Sequence, residues 1–211
     1  MELKAKDRLI LALDVLNMEA AIPLLDQLQG KVGMVKVNSL ASACPEIIQE
    51  IKSRGLKVWR DWKHHDIPGT VVNFIKADVD AGIDMCTVHT SGGSVMMFDA
   101  AAKRTQEKSN LKILGITVLT SIDKQEFNEE MGISGEIQDT AVRWALLAEK
   151  AHLDGVVASA KEAPMLRKVL KPGTLIVTPG ITPNFAVKRE DQAQARVTTP
   201  KQAILNGADK I

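Results

Sequence analysis

Apolar runs of strand length alternate with amphipathic stretches of helix length along the whole chain, and that alternation limits the possible folds more than any single residue does. The apolar runs cover 9–13, 34–37, 57–59, 85–89, 113–119, 155–159 and 175–178. Helical patterns lie near 18–28, 43–53, 69–81, 94–108, 138–152, 161–169 and 200–206. Strands separated by helices pair in parallel through right-handed crossovers. The units number seven, with an eighth strand starting at Asp209, and an eightfold set closes into a barrel. The expected fold is therefore α/β, a (β/α)8 TIM barrel forming a single domain over 1–211, with the eighth strand and final helix missing from the chain. The first strand is followed by Asp14-Val15-Leu16-Asn17 and not by a glycine-rich dinucleotide fingerprint, so hydride chemistry is not indicated.

Composition narrows the function by exclusion. The chain carries 27 basic and 26 acidic residues, a net charge of +1, so it lacks the field that drives nucleic-acid binding. It has no apolar span long enough for a membrane helix, and its charged N-terminus has no signal-peptide core. Cys44 and Cys86 have no metal-type spacing and are too few for a disulfide framework. The expectation is a cytoplasmic protein with no nucleic-acid or membrane partner.

The polar residues gather where the apolar runs end. Asp14 closes the first run, Lys36 lies in the second, and Asp61 and Lys63 end the third. The later runs lead into His89-Thr90-Ser91-Gly92-Gly93, Thr120-Ser121, Ser159 and Thr178-Pro179-Gly180-Ile181. In a barrel these ends converge on the face that carries active sites.

The densest group is Asp61-Trp62-Lys63-His64-His65-Asp66, an Asp-x-Lys-x-x-Asp pattern. Charges at a strand end are ordinarily just solvated. Here Pro68 opens a helix whose Val71, Phe74, Ile75 and Val79 follow at helical spacing, so the pattern sits at a strand-to-helix junction. If 56–63 is extended, Asp61 and Lys63 point to one side of the sheet. A lysine between carboxylates keeps its ammonium form, which makes this one a candidate acid.

Other conspicuous residues have plainer readings. His89 in an apolar strand reads as a hydrogen-bonded structural histidine, and His152 as surface or packing. Adjacent His64 and His65 face opposite sides of a strand and cannot easily share an ion, so no metal site is expected. Met96, Met97, Trp59, Trp62 and Trp144 read as packing. The polar, poorly periodic stretch 123–135, together with 182–195, is a candidate for a loop over the site.

Taken together, Leu11-Ala12-Leu13-Asp14, Lys36, the run 61–71, Thr87-Val88-His89-Thr90-Ser91-Gly92-Gly93, Thr117-Val118-Leu119-Thr120-Ser121, 154–159, Val177-Thr178-Pro179-Gly180-Ile181 and Arg196-Val197-Thr198-Thr199-Pro200 resemble the bacterial-type orotidine 5′-phosphate decarboxylase family. The resemblance runs from Leu9 to Ile211. It implies a homodimeric barrel with shared active sites that decarboxylates orotidine 5′-phosphate to uridine 5′-phosphate, the last step of pyrimidine nucleotide synthesis, with no cofactor and no metal. The family's charged tetrad maps onto Lys36, Asp61, Lys63 and Asp66, the last coming from the partner subunit. Asp14 and Lys36 would hold ribose hydroxyls, with Thr70 assisting across the dimer. Ser121 or Thr120 would meet the pyrimidine edge, and Pro179 and a glutamine, Gln194 in preference to Gln192, would complete the substrate site.

The chain departs from that family at Asn38, where glycine is usual, at Gly69, where asparagine is usual, and at Thr182, where a phosphate-binding arginine is usual and Lys188 or Arg189 would have to compensate. Two alternatives share the barrel: a sugar-phosphate decarboxylase or synthase, which would use magnesium and carry an acidic residue in place of Lys36, and a catalytically silent nucleotide-binding barrel.

Overall fold

The computed structural model describes residues 3–183 and 198–211. The strands are Ile10–Ala12 (β1), Met34–Val37 (β2), Lys57–His64 (β3), Met85–His89 (β4), Lys112–Ile116 (β5), Gly155–Val157 (β6) and Leu175–Val177 (β7). They form one sheet in sequential order, every neighbouring pair parallel. The helices are Ala5–Arg8 (α1), Met18–Leu28 (α2), Ser39–Ala43 (α3), Ile47–Ser53 (α4), Pro68–Asp80 (α5), Gly93–Gln106 (α6), Ile137–Lys150 (α7), Ala163–Val169 (α8) and Pro200–Leu205 (α9).

Adjacent residues within each strand supply two separate cores. Met34, Trp59, Met85, Leu114, Val157 and Val177 pack together inside the curl of the sheet. Their neighbours Val35, Val58, Cys86, Ile113, Val156 and Ile176 pack outward against the helices. Alternation of side chains across a strand produces this division, and it explains why the strands read as continuous apolar runs.

A short motif recurs at the N-terminal edge of the sheet. Gly82, His152 and Gly207 have φ of 66°, 62° and 101°. Each is followed by a buried apolar residue, Ile83, Leu153 or Ala208, and then by Asp84, Asp154 or Asp209. These aspartates accept the backbone N–H of Val58 (2.9 Å), Ile113 (3.0 Å) and Ile176 (2.8 Å) on the preceding strand. Each also meets a basic side chain from the helix that leads into that preceding strand: Lys52 on α4 at 3.9 Å, Arg104 on α6, and Arg167 on α8 at 2.5 Å. The carboxylate thus satisfies a donor at a strand start and ties helix to sheet.

No eighth strand forms among the described residues, as the sequence leads one to expect, yet three residues bridge the gap between β7 and β1. Asp209 N–H donates to Ile176 O (2.8 Å) and Thr178 N–H to Lys210 O (3.1 Å). On the other side, Ile10 N–H donates to Ile211 O and Ile211 N–H to Arg8 O, both at 2.8 Å.

The stretch 123–135 differs from its sequence reading. It contains a turn of π-helix at Glu126–Glu130, with Phe127 fully buried beside Val118, Ile122 and Ile137. One aromatic side chain anchors a segment whose polarity hides any periodicity. Residues 184–197 lie outside the described residues. No helix among the described residues is long and apolar enough to cross a membrane.

Candidate functional site

A cavity of about 300 Å³ opens at the C-terminal ends of the strands, and Asp14, Lys36, Asp61, Lys63, Thr120 and Pro179 all line it. Its charged wall is a chain of contacts centred on Asp61, which is 7% exposed. Lys63 Nζ donates to Asp61 Oδ2 at 2.8 Å. Lys36 Nζ lies 3.9 Å from the same oxygen and 3.3 Å from Asp14 Oδ1, which also accepts from Asn38 Nδ2 at 3.3 Å. The order Asn38, Asp14, Lys36, Asp61, Lys63 alternates donors and carboxylates, so each charge has an opposite neighbour.

The other oxygen of Asp61 is also held. Thr87 Oγ1 donates to Asp61 Oδ1 at 2.9 Å and accepts from the Lys63 backbone N–H at 3.0 Å. Thr87 is fully buried on β4. The sequence reading gave it no role, although a hydroxyl in the strand Met85–His89 was a visible signal.

The backbone at this point is not the plain extended strand expected over 56–63. Arg60 pairs with Cys86 and His64 with Val88, so β3 takes four steps where β4 takes two. Such a bulge re-aims side chains beside a site. Lys63 lies within it at φ 51°, a left-handed conformation that costs a non-glycine residue about 1–3 kcal/mol. Asp61 and Lys63 therefore both reach the cavity through the bulge and not through simple alternation.

Near the same wall, the rings of His65 and His89 lie 5.1 Å apart. Burial first, then the positive charges of His65 and Lys63, push the His89 pKa down to about 4. His64 points the other way, into the helix layer, with Nε2 at 3.3 Å from Asp78 Oδ2 and its ring stacked on Phe74. Among the described residues no cluster of histidine, cysteine and carboxylate side chains is set to hold a metal. Trp59 Nε1 and Thr178 Oγ1 are buried polar groups of the cavity-lining residues with no hydrogen-bond partner among the described residues.

Three described residues assigned from the sequence do not line this cavity. Asp66 is exposed, and its carboxylate accepts from the next backbone N–H, that of Ile67, at 2.7 Å. Thr70 lies in the first turn of α5, and Ser121 is exposed beyond β5. Gln194, like Gln192, Lys188 and Arg189, lies outside the described residues.

Comparison with known proteins agrees with this geometry. Residues 7–211 match the model of the family described as orotidine 5′-phosphate decarboxylase / HUMPS. A protein named orotidine 5′-phosphate decarboxylase from Moorella thermoacetica is 41% identical over 98% of this chain and 84% of its own length. One of the same name from Pseudomonas aeruginosa is 41% identical over 96% of this chain and 87% of its own. The crystal structure of orotidine 5′-phosphate decarboxylase from Lactobacillus acidophilus superimposes with a TM-score of 0.84 at 31% identity, covering 97% of this chain and 88% of that one. An uncharacterized conserved protein from Geobacillus kaustophilus gives 0.82 at 31% identity, over 96% and 88%. With one sheet, one mouth and one charged wall all in keeping, the chain belongs to the orotidine 5′-phosphate decarboxylase / HUMPS family.

Proposed function

We propose that this chain decarboxylates orotidine 5′-phosphate to uridine 5′-phosphate in pyrimidine nucleotide synthesis, using neither cofactor nor metal. The observation that carries the reading is the placement of two ammonium groups, Lys36 and Lys63, on one carboxylate, Asp61, inside the barrel mouth of a member of this family. Lys36 also favours it over a magnesium-dependent sugar-phosphate enzyme, because the chain's own cation stands where Asp14 and Asp61 would otherwise gather a divalent ion.

The chemistry follows from where charge appears. The bond between ring carbon and carboxylate breaks with its electron pair left on the pyrimidine ring, and carbon dioxide departs. A preorganised ammonium at that carbon stabilises the developing carbanion and then gives it a proton. Lys63 takes this role. Asp61 fixes the lysine and sets a negative charge against the substrate carboxylate. Asp14 and Lys36 hold the ribose hydroxyls, Thr120 or Ser121 meets the pyrimidine edge, and Pro179 bounds the site. Of that pyrimidine pair, Thr120 is the one that lines the cavity.

The working unit in this reading is a homodimer in which Asp66 and Thr70 act in the partner's site. Supporting it, Asp66 is exposed and outside its own chain's cavity, and it precedes Ile67, which is 70% exposed. Val95 and Phe98 in the first two turns of the neighbouring α6 are 64% and 52% exposed. The reaction belongs in the cytoplasm, where the free Cys44 and Cys86 stay reduced. The test is direct: purified protein mixed with orotidine 5′-phosphate should change the ultraviolet absorbance of the pyrimidine as the carboxylate is lost. Unchanged absorbance from folded protein would overturn the reading.

A further inference from the structure

We propose that Asp78, on the helix side of the sheet, is a positioning residue for the Asp61–Lys63 pair, acting as a clamp across the bulge that carries both. The inference rests on the decarboxylase reading of that pair. Asp78 lies on α5, fully buried, in the layer between helices and sheet. One of its oxygens meets the Arg60 guanidinium and the other lies 3.3 Å from His64 Nε2. Arg60 and His64 are the two residues between which the register of β3 on β4 shifts. A single carboxylate therefore grips both ends of the segment in which Asp61, Trp62 and Lys63 are displaced from regular pairing.

The gripped residues are themselves fixed. The Arg60 guanidinium sits 4.0 Å from the centre of the Trp62 ring, and the Trp62 indole N–H donates to Asn38 O at 3.1 Å. The His64 ring stacks on Phe74, also on α5, at 4.6 Å and 9°. Cys86, the partner of Arg60 on β4, has its thiol pKa pushed well up by burial and by the neighbouring Asp78 carboxylate.

Packing alone does not account for charge in this layer. Arg60 is 6% exposed, His64 5% and Asp78 0%, amid the valines, isoleucines and methionines that join sheet to helices. Removing ions from water is expensive, and a buried pair replaced by apolar side chains of similar volume commonly leaves a protein as stable or more so. Here the one carboxylate also ties two points of β3, Arg60 and His64, to a single position on α5. That constraint matters where Lys63 is kept at φ 51° with its ammonium 2.8 Å from Asp61.

The test separates positioning from stability. The double variant Arg60→Leu/Asp78→Leu removes both charges and fills the space, and Asp78→Asn, which keeps the shape, is the second variant should the first fail to fold. Thermal midpoint, kcat on orotidine 5′-phosphate and Kd for uridine 5′-phosphate are measured for each, beside the wild type. The expected result is a folded protein whose kcat falls about 10- to 100-fold, the penalty of a misplaced catalytic group, while product binding stays within about twofold because it does not depend on charge that appears only in the transition state. A folded variant with kcat within about twofold of wild type would overturn the clamp. So would a loss of kcat matched by an equal loss of product binding, since that marks general disruption. A wild-type protein with no turnover would instead sink the decarboxylase reading, and this inference with it.

Discussion

The Lys63 ammonium meets the Asp61 carboxylate at 2.8 Å, and the lysine reaches that position with its backbone at φ 51°. The closest ion pair of the site is thus made by a residue in a conformation that side chains normally avoid.

Lys63→Ala should remove most turnover while leaving product-like ligands able to bind. Loss of a single preorganised group that acts on transition-state charge costs about 10²–10³-fold in kcat. Stopped assays with orotidine 5′-phosphate and equilibrium titration with uridine 5′-phosphate check the two halves separately. Near-normal kcat would assign the proton donor elsewhere.

Thr87→Val should weaken both stability and catalysis, because one methyl replaces a hydroxyl that serves two groups. It leaves Asp61 Oδ1 and the Lys63 N–H without their partner, at about 1–3 kcal/mol for a buried polar group left unmade. Thr87→Ser restores the oxygen and should recover most of both. Equal behaviour of valine and serine in chemical denaturation and in kcat would contradict the assigned contacts.

His89 should make the fold sensitive to mild acid. Its pKa is about 4 in the folded chain against an ordinary 6.5. Between those values the unfolded chain binds more protons, so stability is lost as pH falls through that window and regained as it rises. Urea midpoints measured across the window should fall with pH, and His89→Gln should flatten the slope. The same slope in that variant would mean that other groups cause it.

Mixing inactive Lys63→Ala with inactive Asp66→Ala should restore activity if sites are shared. After random subunit exchange half the dimers are mixed and each has one intact site, so about a quarter of wild-type activity is the ceiling. No rescue after demonstrated exchange would put Asp66 and Lys63 in the same subunit's site.

How much of this was visible in the sequence depended on how local the cause was. The strands and helices were, because Met34 and Val35, or Val58 and Trp59, bury into different cores, so each run is apolar throughout. The cavity wall was largely visible, because Asp14, Lys36, Asp61 and Lys63 stand at successive strand ends. The bulge was not, because it exists only in the pairing of β3 with β4. Thr87 was missed for the same reason, since its partners come from the neighbouring strand. Asp78 carried a signal that could have been used: it falls on the same helical face as Val71 and Ile75, where a charge is out of place. The repeated aspartates 84, 154 and 209 were in plain sight, but their acceptor role needs a strand start dozens of residues away.

The three residues that bridge β7 and β1 give the ring a seam. Elsewhere a strand is joined to the next by a helix and a short separation along the chain. At the seam, Ile211 must find Arg8 and Ile10 across nearly the whole polypeptide. Closing so long a loop is entropically the most demanding contact in the molecule. The ring should therefore close last in folding and breathe first in the native state, with the amides of Ile10 and Ile211 exchanging with solvent well before those that pair β4 with β5.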